Sequence, residues 1–434
     1  MIQIISLIQA VYIAGYKARN DKTMHTELHP NFLKNPKAHE AKSVIEACVH
    51  CGFCTATCPT YQHFNDERDG PRGRIYLIKQ LLETNEVSEK TQIHLDRCLT
   101  CRSCETTCPS GVQYGRLVDI GKGLVEQKVS RGWLDSLSRW SLRKVLPYPK
   151  RFGIFLQIGQ IFKPLLIGPL LVLSKKIPER QKHTHWPSSN HKRRMIGLAG
   201  CAQSVATPNT NKATARVLDK LGITLVEERN AGCCGAVDYH LGAHDDGLNA
   251  MRKNIDAWWP EVEAGVEALV MTASGCGVMV EEYGDLLEND PDYAEKAKKI
   301  SSLVKDISQI LEQEDLDKLQ LNPDILSKTK TAVHCPCTMQ HGMKLPNNVD
   351  NLLEKLGVPL AKTNERHMCC GSAGTYSVLQ SNTASELLDK KLNALTIDEP
   401  EQIVTSNVGC QLHLNTKSNI PVKHWIELLD QDLS

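Results

Sequence analysis

The pattern C-x2-C-x2-C-x3-C-P occurs twice, at Cys48, Cys51, Cys54, Cys58 and Pro59 and again fifty residues later at Cys98, Cys101, Cys104, Cys108 and Pro109. Three thiolates at this spacing wrap one iron-sulfur cubane, because short tight loops aim successive sulfurs at different irons. The fourth cysteine, before the proline, reaches the neighbouring cluster. The spacing therefore predicts two [4Fe-4S] clusters. One takes Cys48, Cys51, Cys54 and Cys108, and the other takes Cys98, Cys101, Cys104 and Cys58. Crossed ligation brings the clusters close enough for an electron to pass between them. Zinc ribbons also use C-x2-C pairs, but with a long spacer and four thiolates per metal. Disulfide frameworks belong to small secreted domains, whereas this chain has 434 residues.

A second set of cysteines lies downstream. Cys201, Cys233, Cys234 and Cys276 are matched in order by Cys337, Cys369, Cys370 and Cys410, with thirty-one residues between the first two members of each set. The segments around them recur too: VLDKLG ahead of Ile223 and NLLEKLG ahead of Val358, then TASGC at Cys276 and TSNVGC at Cys410. One unit has been duplicated. Adjacent cysteines reach a common site only where the backbone turns sharply, which Gly235 and Gly371 allow. Each repeat thus offers four sulfurs, enough for a further metal centre, iron-sulfur or other, with buried reduced thiols as the alternative. Cys335 is spare by this alignment, or replaces Cys337. His50 inside the first run, and His334, His341 and His367 near the second set, read as packing or surface groups and not as ligands.

The elements that must position these sulfurs differ between the two regions. Val44, Ile45 and Cys48 lead into the first run at helical spacing, and Tyr76, Leu77, Ile78, Leu81 and Leu82 follow it, so this region is expected to be mostly α. Between the runs, the stretch Asp69 to Arg74 (DGPRGR) reads as a turn and helix start whose arginines either compensate cluster charge or touch a partner. Downstream, short β-branched runs such as Ile223 to Val226 and Gln402 to Thr405 alternate with amphipathic helices, as in Ala213 to Leu221. This is an α/β pattern with parallel strands, and the cysteines fall at strand ends, where ligands gather in such sheets.

The expected architecture is multidomain, α followed by α/β. An N-terminal extension covers 1–23, with Met24 an alternative start. The two-cluster domain covers 24–130, a basic, apolar connector 131–194, and the cysteine-rich repeats 195–315 and 330–434. Within the connector, residues 152–173 form the most apolar stretch of the chain. Lys163, Pro164 and Pro169 argue against a membrane span, so this stretch rests on a membrane surface, on a partner, or on its own domain. Lys and Arg number 51 against 50 Asp and Glu, a net charge of +1, which gives no field to gather nucleic acid. Seventeen cysteines without a signal peptide point to a reducing compartment, hence a cytoplasmic setting.

Taken together, ACVHCGFCTATCPTY, DGPRGRIYLIKQLLE, HLDRCLTCRSCETTCPSGV, AGCCGAVDYHL, NIDAWWP, TASGCG and MCCGSAGTY make the chain resemble proteins in which a two-cluster ferredoxin module is fused to cysteine-rich (CCG) domains. These include heterodisulfide reductase subunits, the corresponding subunit of anaerobic glycerol-3-phosphate dehydrogenases, and lactate-utilisation proteins. The combined set is most similar to the iron-sulfur subunits of bacterial glycolate oxidases, from about Met24 onward. The resemblance implies an electron-transfer subunit that takes electrons from a separate FAD subunit oxidising glycolate, with D-lactate a further substrate, to glyoxylate. A quinone or another acceptor would receive them, with peripheral contact at the cytoplasmic face of the inner membrane. No G-x-G-x-x-G follows a strand and no Walker loop is present, so no catalytic residue is assigned to this chain. The alternative is a heterodisulfide-reductase-like or glycerol-3-phosphate dehydrogenase-like subunit with catalysis in the cysteine-rich cleft. Against it, the C-x2-C that closes the heterodisulfide reductase motif has lost its first cysteine, replaced by Ala273 in one repeat and Asn407 in the other.

Overall fold

The computed structural model describes residues 24–165, 177–181 and 184–431. The N-terminal extension and the 166–173 part of the apolar connector stretch lie outside them. The chain divides into two compact units, Met1–Arg131 and Gly132–Ser434.

The first unit is helical throughout its described residues. Helices Pro36–Glu46, Pro71–Thr84, Glu89–Asp96 and Tyr114–Glu126 enclose one core built on Ile45, Ile78, Leu82, Leu95, Leu117 and Val118. Their starts follow local chemistry: Pro36 and Pro71 occupy the first helical position, where the missing N–H costs nothing, and the Asn35 side chain accepts from Lys37 N and Ala38 N. The helix expected after the first run forms, with Ile78, Leu81 and Leu82 buried; Tyr76 is 58% exposed, and Ile75 joins the core.

In the second unit, the segment read as a connector folds into helices Trp133–Val145 and Pro149–Phe162. Arg143 holds the first of these by donating to Asp238 at 2.9 Å and to Asp246 at 2.5 Å. The repeats follow. Strands β1 (Arg193–Gly197), β2 (Ile223–Val226), β3 (Leu269–Met271) and β4 (Val304–Asp306) form a parallel sheet in the order β2-β1-β3-β4. Strands β5 (Thr331–His334), β6 (Gln402–Thr405) and β7 (Val422–His424) form a second parallel sheet in that order. The duplication predicts a counterpart of β2 at residues 358–362. Only one bridge forms there, Thr331 to Leu360, made by Thr331 N to the Pro359 carbonyl and Ala361 N to the Thr331 carbonyl.

The two repeats share a core. A single apolar cluster includes Val217, Leu218 and Ile310 from the first and Val333, Leu352 and Trp425 from the second. Polar ties reinforce it: Arg216 grips Asp430 with two bonds of 2.6 Å, and a ring nitrogen of His424 bonds the Thr272 carbonyl at 2.8 Å.

Candidate metal centres

In the first unit each cysteine run wraps a loop of unusual backbone. His50 and Thr100 precede the second cysteine of their runs and Gly52 and Arg102 follow it, and all four have positive φ, between 53° and 82°. Left-handed turns on both sides of Cys51 and Cys101 curl the chain around a common centre. The strain is greatest at β-branched Thr100, and strain of this kind gathers at functional sites. The loops are tied to each other by Thr57, whose hydroxyl contacts Thr107 Oγ1 at 3.2 Å and donates to the Ser103 carbonyl at 3.3 Å.

The sulfurs group across the runs. Cys48, Cys51, Cys54 and Cys108 line one cavity, with Cys104, Arg72 and Tyr114 also on its wall, and the pKa of Cys48 is raised by burial and then by Cys108 and Cys51. Burial, then the neighbouring sulfurs of Cys48, Cys51 and Cys108, push the Cys54 thiol up to about 12. On the other side, burial and then Cys101, Cys98 and Cys58 hold the Cys104 thiol well above its ordinary range. Four thiolates this close repel one another, and a cationic iron core relieves that repulsion. The donor set and the cavity fit two clusters.

Beside Cys58 lies a buried charge network that the sequence only hinted at. Arg74 is 1% exposed. It donates to the His94 carbonyl at 2.7 Å and to Thr60 Oγ1 at 3.1 Å, and Thr60 in turn contacts Cys58 Sγ at 3.4 Å. The fully buried Asp69 sits 3.5 Å from Arg74 Nη2, 3.0 Å from the His94 ring and 2.9 Å from Arg97. Burial alone would lower the guanidinium's pKa, but Tyr114, Cys98, Cys58 and Asp69 around it hold it charged. A fixed cation therefore stands next to Cys58 and Cys98. Arg72, by contrast, pairs with Glu67 at 2.6 Å and is part-exposed.

In the second unit the downstream cysteines gather into two groups, one per repeat, each at the C-terminal ends of its strands. In the first, the thiols of Cys201 and Cys234 hydrogen-bond the sulfur of Cys233, which lowers the pKa of Cys233 and favours its thiolate. Cys276 joins through Cys234. In the second, Cys337 and Cys369 are 3.8 Å apart, and Cys370 pairs with Cys410. The glycine after each cysteine pair is required by geometry. Gly235 and Gly371 have φ of +90° and +88°, and a Cβ on either would stand 2.7 Å and 2.6 Å from the carbonyl oxygens of Gly247 and Ala384. Gly371→Ala is expected to cost at least about 2 kcal/mol, from the left-handed backbone and the clash together. Gly232→Ala, which meets nothing within 4 Å, should fall within about 0.5 kcal/mol of the parent. Thermal unfolding of the two variants side by side checks this.

Comparison with known proteins agrees with this division. Residues 44–112 match a family profile described as a 4Fe-4S dicluster domain, and residues 198–281 and 331–415 each match a cysteine-rich domain profile. The chain is 53% identical over 410 residues to the "Glycolate oxidase iron-sulfur subunit" of Escherichia coli K12, covering 94% of this chain and 99% of that one. The chain belongs to the family of glycolate oxidase iron-sulfur subunits. The "Probable glycolate oxidase iron-sulfur subunit" of Bacillus subtilis is 29% identical, covering 85% of this chain and 87% of that one. The "Lactate utilization protein A" of Bacillus velezensis is 28% identical, covering 53% of this chain and 96% of that one.

As a glycolate oxidase iron-sulfur subunit, the chain carries its two [4Fe-4S] clusters in the first unit, and its departures from related cysteine-rich domains lie in the second. Ala273 simply begins helix Ser274–Glu281. Asn407 caps helix Val408–Asn415 by accepting from Gly409 N at 2.9 Å, and its amide donates across the repeats to Ser274 Oγ and within its own repeat to Thr338 Oγ1. The missing thiolate has become a joint between the repeats. Cys335 faces the Leu345 carbonyl at 3.8 Å while Cys337 faces Cys369, so Cys335 does not replace Cys337. A ring nitrogen of His341 bonds the His367 carbonyl at 3.2 Å.

Sequence reading missed the groups that brace the cysteine pairs. Asn254 accepts from Gly232 N and donates to the Cys233 carbonyl, and Tyr283 donates to the Cys234 carbonyl at 2.9 Å. In the second repeat the buried Lys391 donates to the carbonyls of Glu365 and Arg366, just ahead of the pair. A buried polar residue on the helix after each CCG was the available signal.

Proposed function

We propose that this chain is the electron-transfer subunit of a complex that oxidises glycolate, and D-lactate as a second substrate, to the 2-oxo acid. An FAD subunit would take two electrons from the substrate, and this chain would pass them singly toward a quinone or another acceptor. The observation that carries the reading is the grouping of Cys108 with the first run and Cys58 with the second, in a chain 53% identical over its length to a glycolate oxidase iron-sulfur subunit. When bound, the clusters supply two adjacent one-electron sites. Cys48, Cys51, Cys54 and Cys108 would hold one and Cys98, Cys101, Cys104 and Cys58 the other. The Thr57–Thr107 tie fixes their separation, and Arg74 favours the more negative, reduced state on its side. The cysteine-rich repeats would contribute docking or a further metal centre through Cys201, Cys233, Cys234 and Cys276, and through Cys337, Cys369, Cys370 and Cys410. Catalysis in their cleft is not favoured, since Ala273 and Asn407 leave each group one thiolate short of the heterodisulfide reductase pattern.

Affinity purification of the tagged full chain from native cells tests the assignment. An FAD-containing partner and glycolate-dependent dye reduction are expected. Recovery of the chain with no flavoprotein, or with one that ignores both substrates, would contradict it.

A peripheral membrane contact is part of the same reading. Among the described residues no helix is long and apolar enough to cross a membrane. Yet Trp133, Leu137 and Trp140 on one helix and Phe155, Ile158 and Phe162 on the next are each at least 46% exposed. Exposed Lys150 and Arg151 flank them, as suits a surface of anionic lipid. Trp140→Ser with Ile158→Asp is expected to reduce flotation with phosphatidylglycerol-containing vesicles at least about tenfold. Unchanged flotation, with loss of the flavoprotein instead, would assign this face to the partner.

A further inference from the structure

His334 is the last residue of β5 and is 1% exposed. Its Nδ1 is 2.9 Å from Thr405 Oγ1, while its Nε2 is buried without a hydrogen-bond partner. A ring nitrogen of His334 and the sulfurs of Cys370 and Cys410 all lie within 4.8 Å of one another. The Cys337 and Cys369 sulfurs, from the same group, are 3.8 Å apart. An S–H···S contact accounts for that distance, and Cys369 also contacts the Cys370 sulfur. One imidazole with the sulfurs around it makes the nitrogen-and-sulfur set that a tetrahedral zinc takes, at about 2.0–2.3 Å.

The first repeat differs at this point. Aligning Cys201 with Cys337 places Leu198 opposite His334, so the first group has sulfur alone where the second has sulfur and an imidazole. The surroundings of His334 also have the form of a ligand's support. One ring nitrogen is anchored by a hydroxyl, which fixes the ring and leaves the other nitrogen without a hydrogen-bond partner and available to an ion. The Lys391 ammonium, buried beside the same pair, offsets thiolate charge.

We propose that the second cysteine-rich repeat binds a single zinc-type divalent ion through His334 Nε2, Cys370 and Cys410, with the Cys337–Cys369 pair supplying the fourth ligand. Zinc has no redox chemistry at such a site, so this repeat holds the shared core and stands off the electron path. The two repeats have therefore diverged.

The test uses the full chain, expressed with added zinc and purified anaerobically with its clusters in place. Elemental analysis should find about one zinc per chain, and zinc-edge X-ray absorption of the unmodified protein should show sulfur plus one imidazole nitrogen. Against a competing chelator, His334→Leu, which copies the first repeat, is expected to weaken zinc at least about tenfold without changing the iron count. Thr405→Val should weaken it about tenfold by freeing Nδ1. An all-sulfur shell, no zinc despite supplementation, or an unchanged affinity in a folded His334→Leu protein would each overturn the proposal. The absorption measurement needs no variant, so it decides the matter even if His334→Leu fails to fold.

Discussion

Cys58→Ala is expected to remove about four irons, and adding Cys101→Ala to it should remove no more. Cys58→Ala combined with Cys51→Ala should instead remove about eight. The pKa of Cys104 is raised by burial and then by Cys101, Cys98 and Cys58, whereas that of Cys48 is raised by burial and then by Cys108 and Cys51. If each run held its own cluster, the pairs would behave the other way round: Cys58 with Cys51 would remove about four irons and Cys58 with Cys101 about eight. Iron analysis of the four proteins, with the Cys108 counterparts as a mirror, distinguishes the two schemes without any assay of activity.

Arg74→Met should have the second large effect. It leaves Asp69 buried with one cation fewer and exposes the Cys58 and Cys98 thiolates to each other's charge without a neighbouring guanidinium. Breaking a buried ion pair from one side costs about 3 kcal/mol or more. Losing the cation also disfavours the reduced cluster, so the midpoint potential on that side should fall by at least about 59 mV, a tenfold change for one electron. Arg72→Met, at a part-exposed position on the other cluster's side and already paired with Glu67, should move stability and the potential on the Cys58 side far less. Anaerobic thermal bleaching and a spectroscopic redox titration measure both. Equal effects from the two arginines would show that the buried network does not set the potential.

The legible part of this molecule was its spacing. Eight cysteines at fixed intervals named the cofactor because cubane ligation is a local property of short loops, and the duplicated CCG landmarks named the repeats for the same reason. What the sequence withheld depends on contacts between distant residues. Arg72 and Arg74 read alike in the stretch from Asp69 to Arg74, yet only Arg74 stands one and two turns ahead of the buried Ile78 and Leu81 and is itself buried. His334 reads as a packing histidine until β5 and β6 pair and bring Thr405 against one nitrogen and Cys410 near the ring. The segment at 358–362, which the duplication sets against β2, makes one bridge in place of a ladder.

On the proposed reading, electrons from the substrate pass through the two clusters of the first unit. Rapid mixing of the intact complex with glycolate, frozen at intervals and followed by electron paramagnetic resonance, tests it most directly. Reduced-cluster signals, split by coupling between adjacent clusters, are expected within one turnover after the flavin is reduced. A flavin that is reduced and reoxidised by the acceptor through many turnovers, while both clusters stay oxidised, would contradict it.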